Sequence, residues 1–332
     1  MVTPAQFGKR FLGPYHASQL VDFTTRCPYA FKLQYVEGAP EAWRHAKALL
    51  GDVVHYVLEQ FHGSEYNGEL STFEGTQSAV RQTWEWLVEK GNPRYPDRQQ
   101  LPMYWGRVRD GDGSRPMTRL EFEDAWLAKA TDWVNEYVNQ EFNQDTPTHV
   151  ETTAVEVSYR LTLGDPKKPY EVLGRFDQIR QHFSMNTLPK SLSDQEALRP
   201  GILAELASRL ERNGYLLEIS DWKTTKDRPI FATQRDPWVV MSKEYQPRLY
   251  ALGMAKGTIG DLERRWENGV VTEEFVSEHE IGRAPDFYTW HWLPGYGRRQ
   301  RGERHPRYKG ARFTEKNPEP ADLYLSGKAP GD

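Results

Sequence analysis

Leu216-Leu217-Glu218-Ile219-Ser220-Asp221-Trp222-Lys223-Thr224-Thr225 takes an apolar run into an Asp-x-Lys, and upstream Gly174-Arg175-Phe176-Asp177 also takes an apolar segment into an acid. Side chains alternate faces along an extended strand. Asp221 and Lys223 therefore point one way, while Trp222 and Glu218 point the other, which leaves Glu218 outside any site built on the first two. Two carboxylates and an ammonium brought together suit a divalent cation and an attacking water. Hydrolysis of a phosphodiester needs those parts, because the phosphate charge must be neutralised and the water made nucleophilic.

Around this stretch the pattern is that of a strand cluster. Val155 to Leu163 alternates apolar and polar residues, Gly164 to Pro169 makes a turn, and Tyr170 to Ile179 reads as a second strand, with Asp177 at its end. Tyr215 to Trp222 is the third. Ser191 to Arg212 predicts an inserted helix, and Tyr245 to Lys256 a helix after the third strand. Before the strands, helical spacing recurs in Ser18 to Tyr35, Glu41 to Phe61, Thr76 to Glu89 and Leu120 to Phe142. Gly91 to Pro116, rich in Gly, Pro, Arg and Asp, reads as a long loop. Trp84, Trp86, Trp126 and Trp133 are assigned to packing between helices. The expected class is α/β, a mixed central sheet flanked by helices with a helical N-terminal section. The section runs over 1–150 and the core over 151–316, with an insertion near 181–213 and a basic C-terminal segment. Residues 317–332 form a flexible tail, and the whole is one integrated domain.

The 332 residues suffice for a sizeable core, and a charged fraction of 27% gives a wet surface. No apolar run approaches the length of a bilayer span, and Met1 to Arg10 lacks the apolar core of a signal peptide. A cytoplasmic protein without a membrane partner is expected. Cys27 is the single cysteine, so this chain alone builds neither a disulfide nor a cysteine-ligated iron–sulfur cluster. The net charge of -4 does not mark a nucleic-acid binder. Local charge does: Arg298, Arg299, Arg301, Arg304, Arg307 and Lys309 crowd one segment, as phosphate contact requires. Tyr288, Trp290, Trp292 and Tyr296 precede it, and exposed aromatics stack on unpaired bases, although Trp290 and Trp292 read better as the buried face of a strand. Arg107, Arg109 and Arg115 form a second, sparser basic segment.

Two further pairs lie four residues apart and so stack on single helix faces. In the first, Gly51 and His55, a glycine inside a helix costs roughly 1 kcal/mol, and close approach of another backbone accounts for it. His55 then offers an imidazole to a metal or a phosphate, the alternative being a satisfied core histidine. In the second, Gln246 and Tyr250 are placed to hold a substrate phosphate or Lys223 by hydrogen bonds.

Ser18-x-Leu20 with Cys27-Pro28, Gly51-x-x-x-His55, Gly174-x-x-Asp177, Asp221-x-Lys223-Thr224 and Gln246-x-x-x-Tyr250 follow one another in that order. In this the chain resembles the RecB-like branch of the PD-(D/E)xK nuclease superfamily, including its CRISPR-associated and phage exonucleases. The resemblance implies a restriction-endonuclease-like core and a metal-dependent DNA nuclease, an exonuclease working on DNA ends or single strands. It implies Mg2+, with Mn2+ able to substitute. His55, Asp177, Asp221 and the Trp222 carbonyl would hold the metal, and Lys223 would be the catalytic lysine beside Asp177 and Asp221. Gln246 and Tyr250 would steady the site and the DNA, and Glu156 would be an additional acid. Two departures stand out. Some relatives carry an iron–sulfur cluster on one N-terminal and three C-terminal cysteines, and here only Cys27 is present, so it is expected to pack as a small apolar residue. Asp177 and Asp221 are also further apart than these motifs usually lie, so Gln181 to Asn213 reads as the insertion. Two other readings accompany this one: a non-catalytic DNA-binding or assembly module on a nuclease fold, and the nuclease subunit of a helicase or recombination complex. Any helicase would be another chain, since no Gly-x-x-x-x-Gly-Lys-Ser/Thr occurs here.

Overall fold

The computed structural model describes residues 15–16, 29, 43–63, 72–96, 99, 101–111, 113–142, 150–188, 201–224, 245–267, 270–293 and 312–316. Through these run β1 (Tyr15–His16), β2 (Arg44–His45), α1 (Ala46–His62), α2 (Phe73–Lys90), β3 (Met103–Tyr104), β4 (Arg107–Asp110) and β5 (Gly113–Pro116). There follow α3 (Arg119–Phe142), β6 (Val150–Asp165), β7 (Lys168–His182), α4 (Ile202–Asn213), β8 (Leu216–Lys223) and α5 (Tyr245–Lys256). The last four are β9 (Thr258–Glu267), β10 (Val270–His279), β11 (Phe287–Trp292) and β12 (Arg312–Lys316).

One sheet organises the fold, in the order β10-β9-β6-β7-β8-β11-β12, with β1 beside β7. It is mixed, because β11 runs parallel to β8 and β1 parallel to β7, while the other neighbours are antiparallel. Every residue from Leu216 to Trp222 is buried, as a central strand covered on both faces requires. The alternation of β8 decides what covers it. Trp222 packs among Leu50, Val54 and Leu58 of α1, Trp84 of α2 and Val134 and Tyr137 of α3. Leu217 and Ile219 face the other way, onto Tyr250 and Met254 of α5. The α4 helix closes the sheet against Leu216 and Phe287 through Ile202 and Leu206. The expected mixed sheet with flanking helices is therefore what the chain forms.

The Gly-x-x-Asp glycine is set by a close approach. Tyr159 of β6 lies opposite Gly174 of β7, and a Cβ on Gly174 would come within 2.2 Å of the Tyr159 ring. The same ring meets Gly253 of α5, where a Cβ would lie 2.7 Å away. Tyr159 is fully buried between two glycines. Gly174→Ala is expected to destabilise the protein by about 1–3 kcal/mol through overpacking, read as a lower urea midpoint. An unchanged midpoint would show that the ring can move.

Several boundaries differ from the sequence reading, each for a physical reason. The α1 helix starts at Ala46 rather than Glu41, because Arg44 and His45 pair with Met103 and Tyr104 instead. The α2 helix starts earlier than expected, at Phe73, where the Thr72 side chain caps it by accepting from the Gly75 N–H. The expected loop Gly91 to Pro116 contains β3 and the β4–β5 hairpin, whose turn holds Gly111 at φ 56°. Asp177 is not at a strand end, since β7 continues to His182. Of the expected inserted helix, Ile202–Asn213 is seen as α4, and 189–200 lie outside the described residues. Trp84 and Trp133 are buried, but Trp86 is 42% exposed and is no core residue. Tyr288 is buried, and Trp290 and Trp292 are strand positions of β11. Except for Tyr29 the N-terminal helix with Cys27 lies outside the described residues, as do the basic segment 298–309, Tyr296 and the tail 317–332. Among the described residues no helix is long and apolar enough to cross a membrane.

Candidate metal centre

The register of three adjacent strands assembles the acids. Gln178 of β7 pairs with Ser220 of β8 on one side and Val155 of β6 on the other. The next rung carries Asp177, Asp221 and Glu156 side by side. Between β7 and β8 regular pairing ends at Gln178 and Ser220, and the Trp222 N–H donates instead to Asp177 Oδ2 at 2.6 Å. Glu156 holds a positive φ of 50°, unusual for a non-glycine residue and common where a site imposes the backbone.

Onto this rung α1 lowers His55. Its Nδ1 lies 2.8 Å from Glu156 Oε1 and 3.7 Å from Asp177 Oδ1, and its Nε2 lies 3.1 Å from the Trp222 carbonyl oxygen. One ligand atom from each of His55, Glu156 and Asp177 falls within 4.8 Å of the others. Asp221, almost fully buried, stands beside this group rather than in it. Its Oδ2 is 2.5 Å from Lys223 Nζ, and its Oδ1 accepts from Gln246 Nε2 at 3.3 Å. Gln246 Oε1 in turn accepts from Lys223 Nζ at 3.2 Å, and Gln246 Nε2 donates to the Tyr250 hydroxyl at 2.7 Å. The two helical pairs and the Asp-x-Lys thus meet in space. Glu218 stays on the far face, bound to His182 Nε2 at 2.6 Å.

Electrostatics explains why this set suits a cation. Burial pushes the Asp177 carboxyl up, and the neighbouring Asp221 and Glu156 push it further, to about 7, against the opposing pull of His55 and Lys223. Burial works against charge on His55, yet the Asp177 and Glu156 carboxylates outweigh it and raise the imidazole to about 9. Glu156 is held down at about 2 despite its burial, by His55, Arg94 and Arg175. Three carboxylates therefore crowd one rung, where burial and mutual repulsion oppose their charge and the His55 imidazolium offsets it. Carboxylate oxygens with an imidazole and a carbonyl form a donor set that fits a hard divalent ion.

This arrangement fixes a sign. Between pH 6.5 and about 9 the folded protein keeps a His55 proton that the unfolded chain has released. That stabilisation is fully present below pH 6.5 and is lost as pH rises to about 9. Asp177 acts in the same sense between 3.8 and about 7. Urea midpoints in EDTA are expected to fall over the alkaline interval, and His55→Asn to flatten that fall. A wild-type midpoint constant across it would contradict the imidazolium.

Three features escaped the sequence reading. Arg94, from the loop after α2, lies 3.2 Å from Glu156 Oε2 and 2.6 Å from Glu59 Oε2, with its guanidinium 4.0 Å over the Tyr56 ring. A loop arginine so far from the acids in sequence gives no signal. Arg175, 3.6 Å from Glu156 Oε2, sits inside Gly174-x-x-Asp177 and was available from that motif. Glu156 is more central than expected. Gly51 corrects an expectation as well: its close neighbour is the Thr224 hydroxyl, 3.1 Å from a Cβ placed there, not a backbone.

A family model described as the PD-(D/E)XK nuclease superfamily matches residues 17–186, just over half of the chain. The matched span takes in His55, Glu156 and Asp177 and ends before Asp221. No curated protein matches the chain.

Proposed function

Because the chain belongs to the PD-(D/E)XK nuclease superfamily, we propose that it is a Mg2+-dependent deoxyribonuclease of the RecB-like type, an exonuclease acting on DNA ends or single strands. The observation that carries this reading is the meeting of His55, Glu156, Asp177, Asp221 and Lys223 from α1 and three neighbouring strands. His55, Glu156 and Asp177, with Asp221 and the Trp222 carbonyl beside them, would hold a cation that neutralises phosphate charge and makes bound water acidic. Mn2+ offers the same chemistry to the same donors.

The remaining work falls to side chains. Lys223, gripped by Asp221 and Gln246, presents an ammonium that orients the attacking water and stabilises charge growing on the phosphate oxygens. Tyr250, buried behind Gln246, fixes the amide that fixes the lysine. His55, with Arg94 and Arg175 behind it, keeps Glu156 ionised.

End-labelled linear, circular and single-stranded DNA test the proposal together. Shortening of linear and single-stranded DNA in Mg2+ or Mn2+, with circular duplex spared and no product in EDTA, is the expected result. Binding without cleavage in either metal would favour the non-catalytic module, and cutting of circles would remove the exonuclease assignment.

A further inference from the structure

Beyond the metal cluster, α1 leads to a second surface. Gly51, one turn before His55, faces the Thr224 hydroxyl, so β8 leaves the cluster toward the N-terminal end of α1. At that end Trp43 is 47% exposed, although it is one of the largest apolar side chains on the surface. The β2–β3 pairing sets Tyr104 against it, with ring centroids 5.7 Å apart and planes tilted by 31°. His45, also exposed, meets the edge of Tyr104 at 5.4 Å. Lys47 follows His45 by two residues at the start of α1, and it and Lys129 of α3, both exposed, stand 4.9 and 4.6 Å from the Trp126 ring. The first turn of α1 contains no acid.

An open indole set at a tilt against a phenol, with ammonium groups on the neighbouring helices, matches the chemistry of an unpaired nucleotide strand. A base offers a π face and its phosphate a negative charge, and neither contact depends on sequence. Ten residues separate His45 from His55 on the helix, about 15 Å at 1.5 Å per residue, or about four nucleotides at a stacked rise of 3.4 Å. Building on the nuclease reading of the acidic cluster, we propose that Trp43, Tyr104 and His45, with Lys47 and Lys129, form a stacking platform for an unpaired DNA strand whose scissile phosphate lies at His55 and Asp177. The platform holds bases a few nucleotides from the cut and favours a frayed or single-stranded end over closed duplex.

The test is equilibrium binding by the full chain of a fluorescein-labelled deoxythymidine oligomer of about 12 nucleotides, in EDTA so that nothing is cut. Trp43→Ala and Tyr104→Ala are each expected to weaken binding about tenfold or more, while Trp43→Phe stays near wild type. Phe183→Ala, removing another exposed aromatic, should have no effect. Should Trp43→Ala lower the melting temperature, Trp43→Leu decides, because it keeps apolar contact with Tyr104 but has no π face. Wild-type affinity in the Ala and Leu variants, an equal loss in Phe183→Ala, or no affinity of wild type for the oligomer would each overturn the platform. Failure of the nuclease reading would appear separately, as tight oligomer binding with no cleavage when Mg2+ is supplied.

Discussion

Lys223→Ala and Asp221→Ala are each expected to lower Mg2+-dependent DNA cleavage by at least about 10³-fold, with the circular dichroism of the wild type retained. Lys223 is 26% exposed at its side chain and contacts Asp221 and Gln246. Its removal takes away an ammonium held against Asp221 but leaves the strand core in place. Asp221 has two duties. It lies on the rung beside Asp177, and it holds Lys223 at 2.5 Å. Gln246→Ala should cost less than either, because Asp221 still restrains the lysine. Wild-type cleavage by either purified alanine variant would remove the assignment of Asp221-x-Lys223 as the catalytic pair.

The largest effect on stability is expected on the opposite face of the same strand. Glu218 is fully buried, 2.6 Å from His182 Nε2 and 3.6 Å from Arg180 Nε. Burial opposes its charge, yet Arg180 and His182 hold its carboxyl well below the usual range. The contribution is thus present above the ordinary carboxylate pKa and is lost as the solution is acidified. His182 in turn bonds Thr187 through Nδ1 at 2.9 Å, which ties the end of β7 to the turn that follows it. Glu218→Ala removes the anion and leaves a guanidinium and an imidazole facing a buried gap, a change that costs about 3–5 kcal/mol in comparable buried pairs. Urea unfolding measures it directly. A loss below about 1 kcal/mol would mean that water or a rearranged side chain replaces the carboxylate.

How much of this was legible depended on whether the controlling interaction was local. Alternation along Leu216 to Lys223 separated Asp221 and Lys223 from Trp222 and Glu218, and the structure keeps that division, since β8 packs against different helices on its two faces. Four-residue spacing likewise put Gly51 with His55 and Gln246 with Tyr250. The centrality of Glu156 was not local. It follows from a cross-strand rung, a positive φ and two arginines that arrive from elsewhere. The start of α1 was misread because Trp43 continues the apolar stripe of the helix, while pairing of Arg44 and His45 with β3 wins the backbone. The β9–β10 hairpin gave no clear period: Asp261, Glu263, Arg264, Arg265, Glu273 and Glu274 place charge on both faces at one end of the sheet.

Calorimetric titration of Mn2+ into the metal-free protein and into Asp177→Ala tests most directly whether the rung of acids is a metal centre. Saturable binding by the wild type, weakened at least about tenfold by Asp177→Ala, is the predicted result. Equal binding by the two proteins, or none by the wild type, would contradict it.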